Sequence, residues 1–438
     1  MARSAPAPAQ ASNQPRGLSP AEAAVLATRT RYRVLGIIMV ALGLATFWLF
    51  TQGLAPGELS TFGMNQGGTT SAVTLPDMVL PTFATVAVMA VLAAALGAYQ
   101  LWRGFGRWST AMLGLAVLFF IFAFLTWATA GKSINLAGML KAALLRAVPL
   151  TLGALSGILS ERAGVVNIAI EGLMLSAAFM SVVVASATGS LWAGLAAAIV
   201  TAAVLAMVHG VLAIHYKVDQ VISGVVINIF SVGITSYLSS KLLVDPQYAY
   251  LNNSGIFPTW QIPLLARIPF IGGILFETHL FTYAMFVLLV VVHLALFYTR
   301  WGLRTRAVGE HPKAADTLGI NVHRTRYVAV LLSGMMAGFA GAYFTLGSVG
   351  RFDQVMTAGR GFISLAAVIF GNWSPFGAFG ASLIFGFADA LQTRLSLLAV
   401  PIPSQFLLMA PYIATMIALA GLVGRVTPPA ADGVPYEK

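Results

Sequence analysis

Long apolar runs separated by short polar loops dominate the sequence. Most of the runs approach the roughly 20 residues that a helix needs to cross a bilayer. They cover residues 35–53, 78–101, 109–130, 140–160, 168–188, 190–213, 219–240, 281–299, 326–348, 361–374, 376–395 and 404–424. The run at 361–374 is short and predicts a partial helix. The pattern as a whole predicts an all-α, polytopic membrane protein with about 12 transmembrane helices.

The positions of the basic residues predict the orientation of these helices. If the first helix begins on the cytoplasmic side and each run crosses the membrane once, seventeen of the 25 Lys and Arg residues lie on the cytoplasmic side. Since inner loops are enriched in Lys and Arg, both termini are predicted to be cytoplasmic. The seventeen are Arg3, Arg16, Arg29, Arg31, Arg33, Arg103, Arg107, Arg162, Lys217, Arg300, Arg304, Arg306, Lys313, Arg324, Arg326, Arg425 and Lys438.

The composition excludes several classes of protein. Charged residues make up 9% of the 438 residues and hydrophobic residues 58%, whereas soluble proteins carry about 25% charged residues. A soluble enzyme, a disordered protein and a nucleic-acid-binding domain are therefore excluded. The net charge of +11 reflects the inner loops, so we expect a lipid bilayer and no nucleic acid as partner. Without cysteine the chain has no disulfide and no thiolate ligand.

Two segments outside the apolar runs differ from the other loops. Residues 1–34 contain an Ala-, Pro-, Ser- and Gln-rich stretch and predict a disordered cytoplasmic tail. The outer loop at 241–280 is long and rich in Pro, and is predicted to form an ordered cap on the outer surface, a plain connector being the alternative.

Motifs of enzymes are not found in the sequence. No Gly-rich phosphate loop followed by Lys and Ser or Thr occurs, so the chain should not hydrolyse ATP itself. The six histidines are dispersed along the chain, and no metal site, catalytic residue or cofactor is predicted for it.

Two carboxylates inside the apolar runs, Glu171 and Asp389, are candidate functional residues because a charge in lipid is costly. Each also has a structural explanation. Asn167 can cap a helix that starts at Ile168, which would place Glu171 in its first turn. Asp389 can pair with a nearby base such as Arg394 or face a polar interior.

Several other positions suggest helix contacts or internal symmetry. Asn228 lies in the middle of an apolar run, where its amide either joins helices or contacts a polar substrate. The Gly334–Gly338 spacing predicts close helix packing. The stretch KVDQVI at 217–222 resembles RFDQVM at 351–356, and the two are predicted on opposite membrane faces. That placement is consistent with an inverted-topology repeat, and coincidence in a biased composition is the alternative.

The inner loop at 300–325 carries the clearest mechanistic signal. Pro312 can begin a short helix and Gly319 can end it. A helix of about two turns is marginal alone in water, so it is expected to dock in a groove of a partner protein. Ala314 and Ala315 would face the partner, while Lys313 and Asp316 would meet charges at the rim. A solvated basic loop is the alternative.

Four stretches resemble the permeases of bacterial ABC transporters for branched-chain amino acids and simple sugars, and most closely the nucleoside-importing permeases. They are LSERAGVVNIAIEGLM (159–174), VGEHPKAADTLGIN (308–321), LSGMMAGFAGAY (332–343) and TAGRGFISLAAVIFG (357–371). The resemblance implies a permease core at 140–425, preceded by extra transmembrane helices at 35–139 and followed by a cytoplasmic tail at 426–438. It also implies a location in the bacterial inner membrane.

The resemblance further implies the partners of the chain. They are an ABC ATPase subunit that uses ATP, a second and related permease subunit, and an extracytoplasmic substrate-binding lipoprotein. The family's coupling segment matches residues Glu310, Pro312, Lys313, Ala314, Ala315, Asp316, Leu318 and Gly319. Asn167, Glu171 and Arg360 lie within family motifs. Together with Asn228 and Asp389, they are candidates for the translocation path or for helix starts.

The expected function is that of a transport subunit rather than an enzyme. It would form the membrane path of an ATP-driven importer, with nucleosides as the expected substrates. A simple-sugar permease is one alternative. A standalone transporter that couples transport to protons through Glu171 and Asp389 is another.

Overall fold

The computed structural model describes residues 20–66, 74–398, 406, 409 and 427–438, with side chains described from Thr30 onward. This part of the chain is mostly helical. Its helices are α1 (Pro20–Thr51), α2 (Thr82–Trp102), α3 (Ser109–Ala128), α4 (Leu136–Glu161), α5 (Ile170–Thr188), α6 (Leu191–Gly210), α7 (Gln220–Leu238), α8 (Ile271–Leu275), α9 (Leu280–Tyr298), α10 (Arg300–Glu310), α11 (Pro312–Thr317), α12 (Val322–Phe344), α13 (Arg360–Phe370) and α14 (Pro375–Leu397).

Short irregular elements extend or connect these helices. A five-residue π-helical turn continues α6, α7 and α12, at Val211–His215, Ser239–Leu243 and Thr345–Val349. The strands are β1 (Leu59–Gly63), β2 (Met78–Pro81), β3 (Ser133–Asn135), β4 (Thr259–Gln261) and β5 (Glu277–His279). The first three form a sheet in the order β2-β1-β3, and β4 pairs with β5.

Within the described residues, nine helices are long and apolar enough to cross a membrane. The predicted partial helix is confirmed, because α13 has only 11 residues. Helix α14 has 23 residues, but it is not apolar enough to be counted among those nine. The predicted segment at 404–424 lies outside the described residues.

The predicted disordered tail is wrong in its second half. Helix α1 begins at Pro20, fourteen residues before the end assigned to the tail. Residues 21–33 consist largely of Ala, Glu, Leu and Arg, which are strong helix formers, so the polar start and the apolar run form one helix. Residues 1–19 lie outside the described part.

The described part of the chain forms two compact units, and the first contains residues 20–61 and 79–133. Its three helices pack through small residues. A Cβ built on Gly43 would lie 2.6 Å from the backbone nitrogen of Ala94, and one on Gly97 would lie 2.5 Å from that of Val40. Without those methyl groups the backbones of α1 and α2 approach closely, as is common where apolar helices pack in lipid.

The second unit contains the described residues within 62–78 and 134–438 and is centred on α4, α5 and α12. The most apolar window of α4 is 83% buried within the protein, and those of α5 and α12 are each 72% buried, against 33% for α7 and α9. The predicted packing role of the Gly334–Gly338 pair is confirmed. Both glycines face α6, at Ala206 and at Ile199.

The predicted ordered cap is present at one end of this unit. In the loop between α7 and α9, β4 pairs antiparallel with β5. The loop is also tied to the end of α12, because Phe257 N donates to Leu346 O at 2.8 Å and Ser254 N to Gly350 O at 3.0 Å.

The predicted inner loops of this unit come together at the opposite end, which we call the α11 end. It contains the loops 162–169, 216–219, 299–321 and 371–374 and the segment 427–438. Arg162 lies 4.0 Å from Glu310, and Lys217 lies 2.8 Å from Glu437. Thr427 N donates to Asn372 Oδ1 at 3.0 Å.

Candidate functional site

Three charged side chains from separate helices meet in the middle of the second unit. Arg146 of α4 lies 3.0 Å from one oxygen of Asp389 on α14, and Arg360 at the start of α13 lies 3.9 Å from the other. Arg146 also donates to Thr393 Oγ1 at 3.0 Å. We call Arg146, Arg360 and Asp389 the membrane charge cluster. The partners predicted for Asp389 included Arg394, but the residues that pair with it are Arg146 and Arg360.

The cluster lies well inside the membrane-spanning part. At 1.5 Å per residue, Arg146 lies about 15 Å from the start of α4 and about 22 Å from its end. About one third of each of the three side chains is exposed. Charges at this depth mark polar pathways more often than lipid-facing surface.

Aromatic groups complete the surroundings of the cluster. The guanidinium of Arg360 lies 5.6 Å from the ring centroid of Phe344 on α12. The neighbouring Tyr343 donates its hydroxyl to Leu145 O at 2.7 Å, which fixes α12 against α4 beside Arg146. The cluster offers guanidinium donors and carboxylate acceptors, with one net positive charge.

Glu171 closes the amino end of the partial helix α13. One carboxylate oxygen accepts hydrogen bonds from Thr357 Oγ1 at 2.6 Å and Gly359 N at 2.9 Å. The other accepts from Gly361 N at 2.6 Å. Glu171 does lie in the first turn of α5 as predicted. However, it neutralises the dipole of a different helix, so the amino end of α13 is closed to an anionic substrate.

Asn228 and Asn167 both hold helices together. Asn228 accepts from Gly172 N and donates to Ile168 O, each at 2.8 Å, so its amide links α7 to the start of α5. The predicted capping role of Asn167 is wrong, because α5 begins at Ile170 without a side-chain cap. Asn167 donates instead to Ser333 Oγ on α12 at 2.8 Å.

At the α11 end, the short helix predicted between Pro312 and Gly319 is confirmed. His311 caps it by accepting from Ala314 N at 3.2 Å. Pro312 occupies its first turn. Gly319 follows with φ of +77°, a conformation that glycine adopts readily.

The face that this helix presents differs from the prediction. Ala315 is buried against Val308, Val322 and Tyr436, so it is unavailable to a partner. Ala314 is exposed, and 81% of Leu318 is exposed. These two residues are four apart and lie on the same side of the helix.

Residues 427–438 pack across this loop, and we call them the C-terminal strap. Ala431 N donates to Gly309 O at 2.8 Å, and Ala430 N donates to the Glu310 carboxylate at 3.2 Å. Arg326 donates to Val434 O at 3.0 Å. The strap therefore joins the end of α10 to the start of α12 and supplies Tyr436 to the packing beneath Ala315.

Titratable side chains are partly or fully buried where the strap packs against the rest of the α11 end. Burial raises the pKa of Asp432 to about 7, although a hydrogen bond from the backbone of Gly433 and the charge of Arg326 oppose this shift. Glu161, at the end of α4, is buried nearby and receives a hydrogen bond from the indole of Trp373. Burial also lowers the pKa of the Arg162 guanidinium, an effect that Glu310 opposes. Within the described residues, no three His, Asp or Glu side chains are placed to hold a metal ion.

Two residues of these sites, Arg146 and Tyr436, were not predicted from the sequence. Arg146 is a basic residue inside a predicted apolar run, and that position was the available signal. Tyr436 lies far along the chain from the loop it supports, and the sequence offered no signal for the contact.

Comparisons with protein families and with individual proteins both identify transport permeases as the relatives of this chain. Residues 139–424 match the family described as the permease component of branched-chain amino acid transport systems. The chain is 42% identical over 306 residues to a guanosine ABC transporter permease protein of Bacillus subtilis, which covers 68% of this chain and 95% of that protein. No solved structure matches it significantly.

Two further relatives differ in the substrates named for them. A nucleoside ABC transporter permease protein of Lactococcus lactis is 41% identical over 67% of this chain and 95% of its own length. A putative glucose ABC transporter permease protein of Haloferax volcanii is 37% identical over 59% of this chain and 78% of its own length.

Proposed function

The chain belongs to the permease-component family of branched-chain amino acid transport systems, and we propose that it forms the membrane path of an ATP-driven nucleoside importer. As a permease of this family it is a multi-pass membrane protein and a transport component rather than an enzyme. The similarity to guanosine and nucleoside permeases over 95% of their length supports the substrate class.

The observation that carries the proposal is the membrane charge cluster. A nucleoside is uncharged and combines a planar base with ribose hydroxyl groups. Asp389 can accept hydrogen bonds from ribose hydroxyls, and the guanidinium of Arg146 can donate to base or ribose oxygens. We therefore place the translocation path beside this cluster, with Glu171, Asn167 and Asn228 as the residues that hold its walls.

The proposed topology has twelve crossings and both termini in the cytoplasm. The convergence of four segments that carry Lys or Arg at the α11 end supports the orientation of the core. The KVDQVI stretch lies at the α11 end, where Asp219 caps α7. The RFDQVM stretch follows Gly350 beside the cap loop. This placement supports an inverted repeat.

The proposed partners follow from the family and the α11 end. An ABC ATPase that binds and hydrolyses ATP would dock on Ala314 and Leu318, a second related permease would complete the path, and a lipoprotein outside the bacterial inner membrane would deliver substrate. Movement of α11 would reach the membrane part through α10 and α12, which flank it directly. The division into extra helices at 35–139, a core at 140–425 and a tail at 426–438 belongs to the same proposal.

A simple sugar is the second candidate substrate, and the similarity to the putative glucose permease favours it. A standalone proton-coupled carrier has less support. The two carboxylates that would carry the proton already have partners: Glu171 accepts three hydrogen bonds, and Asp389 pairs with two arginines.

The test is uptake of radiolabelled guanosine in a bacterial host without its own nucleoside importers. The host expresses this chain with the ATPase, permease and lipoprotein encoded beside it. We expect uptake that competing nucleosides reduce, that glucose leaves unchanged, and that a catalytically dead ATPase abolishes. Competition by glucose instead would favour the sugar permease, and uptake with the dead ATPase would refute ATP-driven transport.

A further inference from the structure

An apolar groove runs along the exposed surface of the helix pair α6 and α12. Its volume is about 550 Å³, and its lining includes Val200, Val204, Val208, Leu212, Leu331 and Met335. The residues from 200 to 212 span about 18 Å along the helix. This length is close to half of the roughly 30 Å hydrocarbon core, which is the thickness of one leaflet.

A polar pocket of about 350 Å³ lies at the α11 end of the same helix pair. His323 and Tyr327 line the pocket, while Leu331 and Met335 line the groove. These four residues follow one another at a spacing of four and form a single ridge on α12. On the other wall, His215 of the pocket comes three residues after Leu212 of the groove. The pocket therefore continues the groove at the membrane boundary.

The pocket is rich in groups that bind phosphate. Lys217 and Lys438 line it together with two imidazoles, and Glu437 is the acidic side chain among its lining residues. Glu437 pairs with Lys217 at 2.8 Å, but 42% of the Lys217 side chain and 73% of the Glu437 side chain are exposed. Exposed pairs of this kind are weak, so a phosphate group can replace Glu437 as the partner of Lys217.

We propose that the groove and the pocket together bind one anionic phospholipid of the leaflet at the α11 end. An acyl chain lies along α6 and α12, and the phosphate is held by Lys217, His215 and His323. A soluble anion would fill the pocket and leave the groove unexplained. Because Tyr436, Glu437 and Lys438 of the C-terminal strap also line the pocket, a bound lipid contacts the element that supports α11.

The proposal takes from the proposed function only the orientation of the α11 end, and lipid binding does not depend on which solute is transported. If the unmodified chain binds the lipid but does not take up guanosine in the test above, only the proposed function is contradicted.

The experiment uses the full-length chain, with the subunits that co-purify, in nanodiscs of phosphatidylcholine with a minor fraction of phosphatidylglycerol. Lipid retained on the protein is counted by native mass spectrometry. We expect preferential retention of one phosphatidylglycerol. Lys217→Asn removes the charge while suiting the left-handed backbone at this position, where φ is +55°. It should weaken retention about fivefold, as expected for one basic residue at a membrane surface.

Three further variants separate the lipid from other occupants. Arg324→Ser is the matched control, since Arg324 is exposed at the same end of α12 and does not line the pocket; retention should be unchanged. Val208→Trp places a bulky ring in the groove at an exposed position and should weaken retention. Glu437→Gln removes the competing carboxylate and should strengthen it.

Four results would overturn the proposal. Equal retention of phosphatidylcholine would remove the preference for an anionic headgroup. Equal loss in Lys217→Asn and Arg324→Ser would show a general charge effect. An unaffected Val208→Trp would mean that no acyl chain lies in the groove. A cysteine at position 208, in this otherwise cysteine-free chain, that cross-links to another subunit would show that protein covers the groove.

Discussion

Asp389 lies between two arginines, and the charge balance of the membrane charge cluster depends on all three side chains. Asp389→Asn would leave Arg146 and Arg360 without a counter-charge at a depth where unpaired charge is costly. We expect guanosine uptake to fall about tenfold, equivalent to about 1.4 kcal/mol, with normal amounts of protein in the membrane. Thr393→Val, which removes one hydrogen bond to Arg146, is the control and should have a much smaller effect.

The pairing itself can be measured with a double-mutant cycle. Arg146→Gln combined with Asp389→Asn should cost less than the sum of the two single changes, because each removes the partner of the other. Strictly additive losses would mean that the two side chains act independently and that the cluster is not a unit.

Glu171 gives a second prediction at this scale. Glu171→Gln replaces a charged acceptor of three hydrogen bonds with an amide that presents one oxygen and one donor group. Hydrogen bonds to charged groups contribute about 1.5–3 kcal/mol, so we expect a clearly lower midpoint of thermal unfolding in detergent. Thr357→Val removes a single donor and should lower the midpoint less. An unchanged midpoint in Glu171→Gln would contradict the closing role of the carboxylate.

These residues also show how far the sequence alone reaches. The apolar runs show that Glu171 and Asp389 lie within membrane-spanning segments. Because an unpaired charge in lipid is costly, the sequence also predicts that each needs a partner. Their partners do not follow, since Thr357 and Arg146 lie 186 and 243 positions away in sequence. Local rules instead assigned Glu171 to its own helix and Asp389 to the nearby Arg394.

Among the elements, α11 is the one whose exposed face has a direct functional test. Leu318→Asp places a charge on the most exposed apolar residue of this loop, where burial against an ATPase would leave the charge unpaired. We expect the ATPase to be lost on co-purification. Leu264→Asp, at a leucine that is 77% exposed in the cap loop, should retain it. Retention in both variants would exclude Leu318 from the coupling surface.

The C-terminal strap should determine how rigidly α11 is held. Tyr436→Ser removes a ring that packs under Ala315 and against His323. The chain should still assemble, because the strap lies outside the spanning helices, but substrate-stimulated ATP hydrolysis should fall severalfold. Val434→Ser is a matched control, since this side chain is 51% exposed and only its carbonyl oxygen contacts Arg326. Equal stimulation in both variants would show that the strap plays no part in coupling.

The existence of α11 could be predicted and its orientation could not. The start at Pro312 and the stop at Gly319 are local signals that act within one turn of helix. Which face is buried depends on Tyr436, more than 110 residues away, and on Val322 of the next helix. Ala315 was therefore assigned to the partner surface although it is part of the chain's own packing.

For the molecule as a whole, the apolar runs predicted the helices well because membrane thickness fixes their length. The partial helix α13 could be identified for the same reason, since its 11 residues are fewer than a full spanning helix needs. The beginning of α1 was misplaced because it lies in polar sequence, where helix propensity decides and lipid does not.

Orientation is the remaining prediction at this scale, and the chain is suited to testing it because it contains no cysteine. Val434→Cys places an exposed thiol in the C-terminal strap, and Val244→Cys places one that is 69% exposed at the opposite end of the core. With a cytoplasmic α11 end, an impermeant maleimide should label the second variant in intact cells. It should label the first only after the inner face is opened. Both thiols react in solubilised protein, which controls for accessibility. Labelling of Val434→Cys from outside would invert the topology and move the ATPase surface, the strap and the lipid pocket to the wrong side of the membrane.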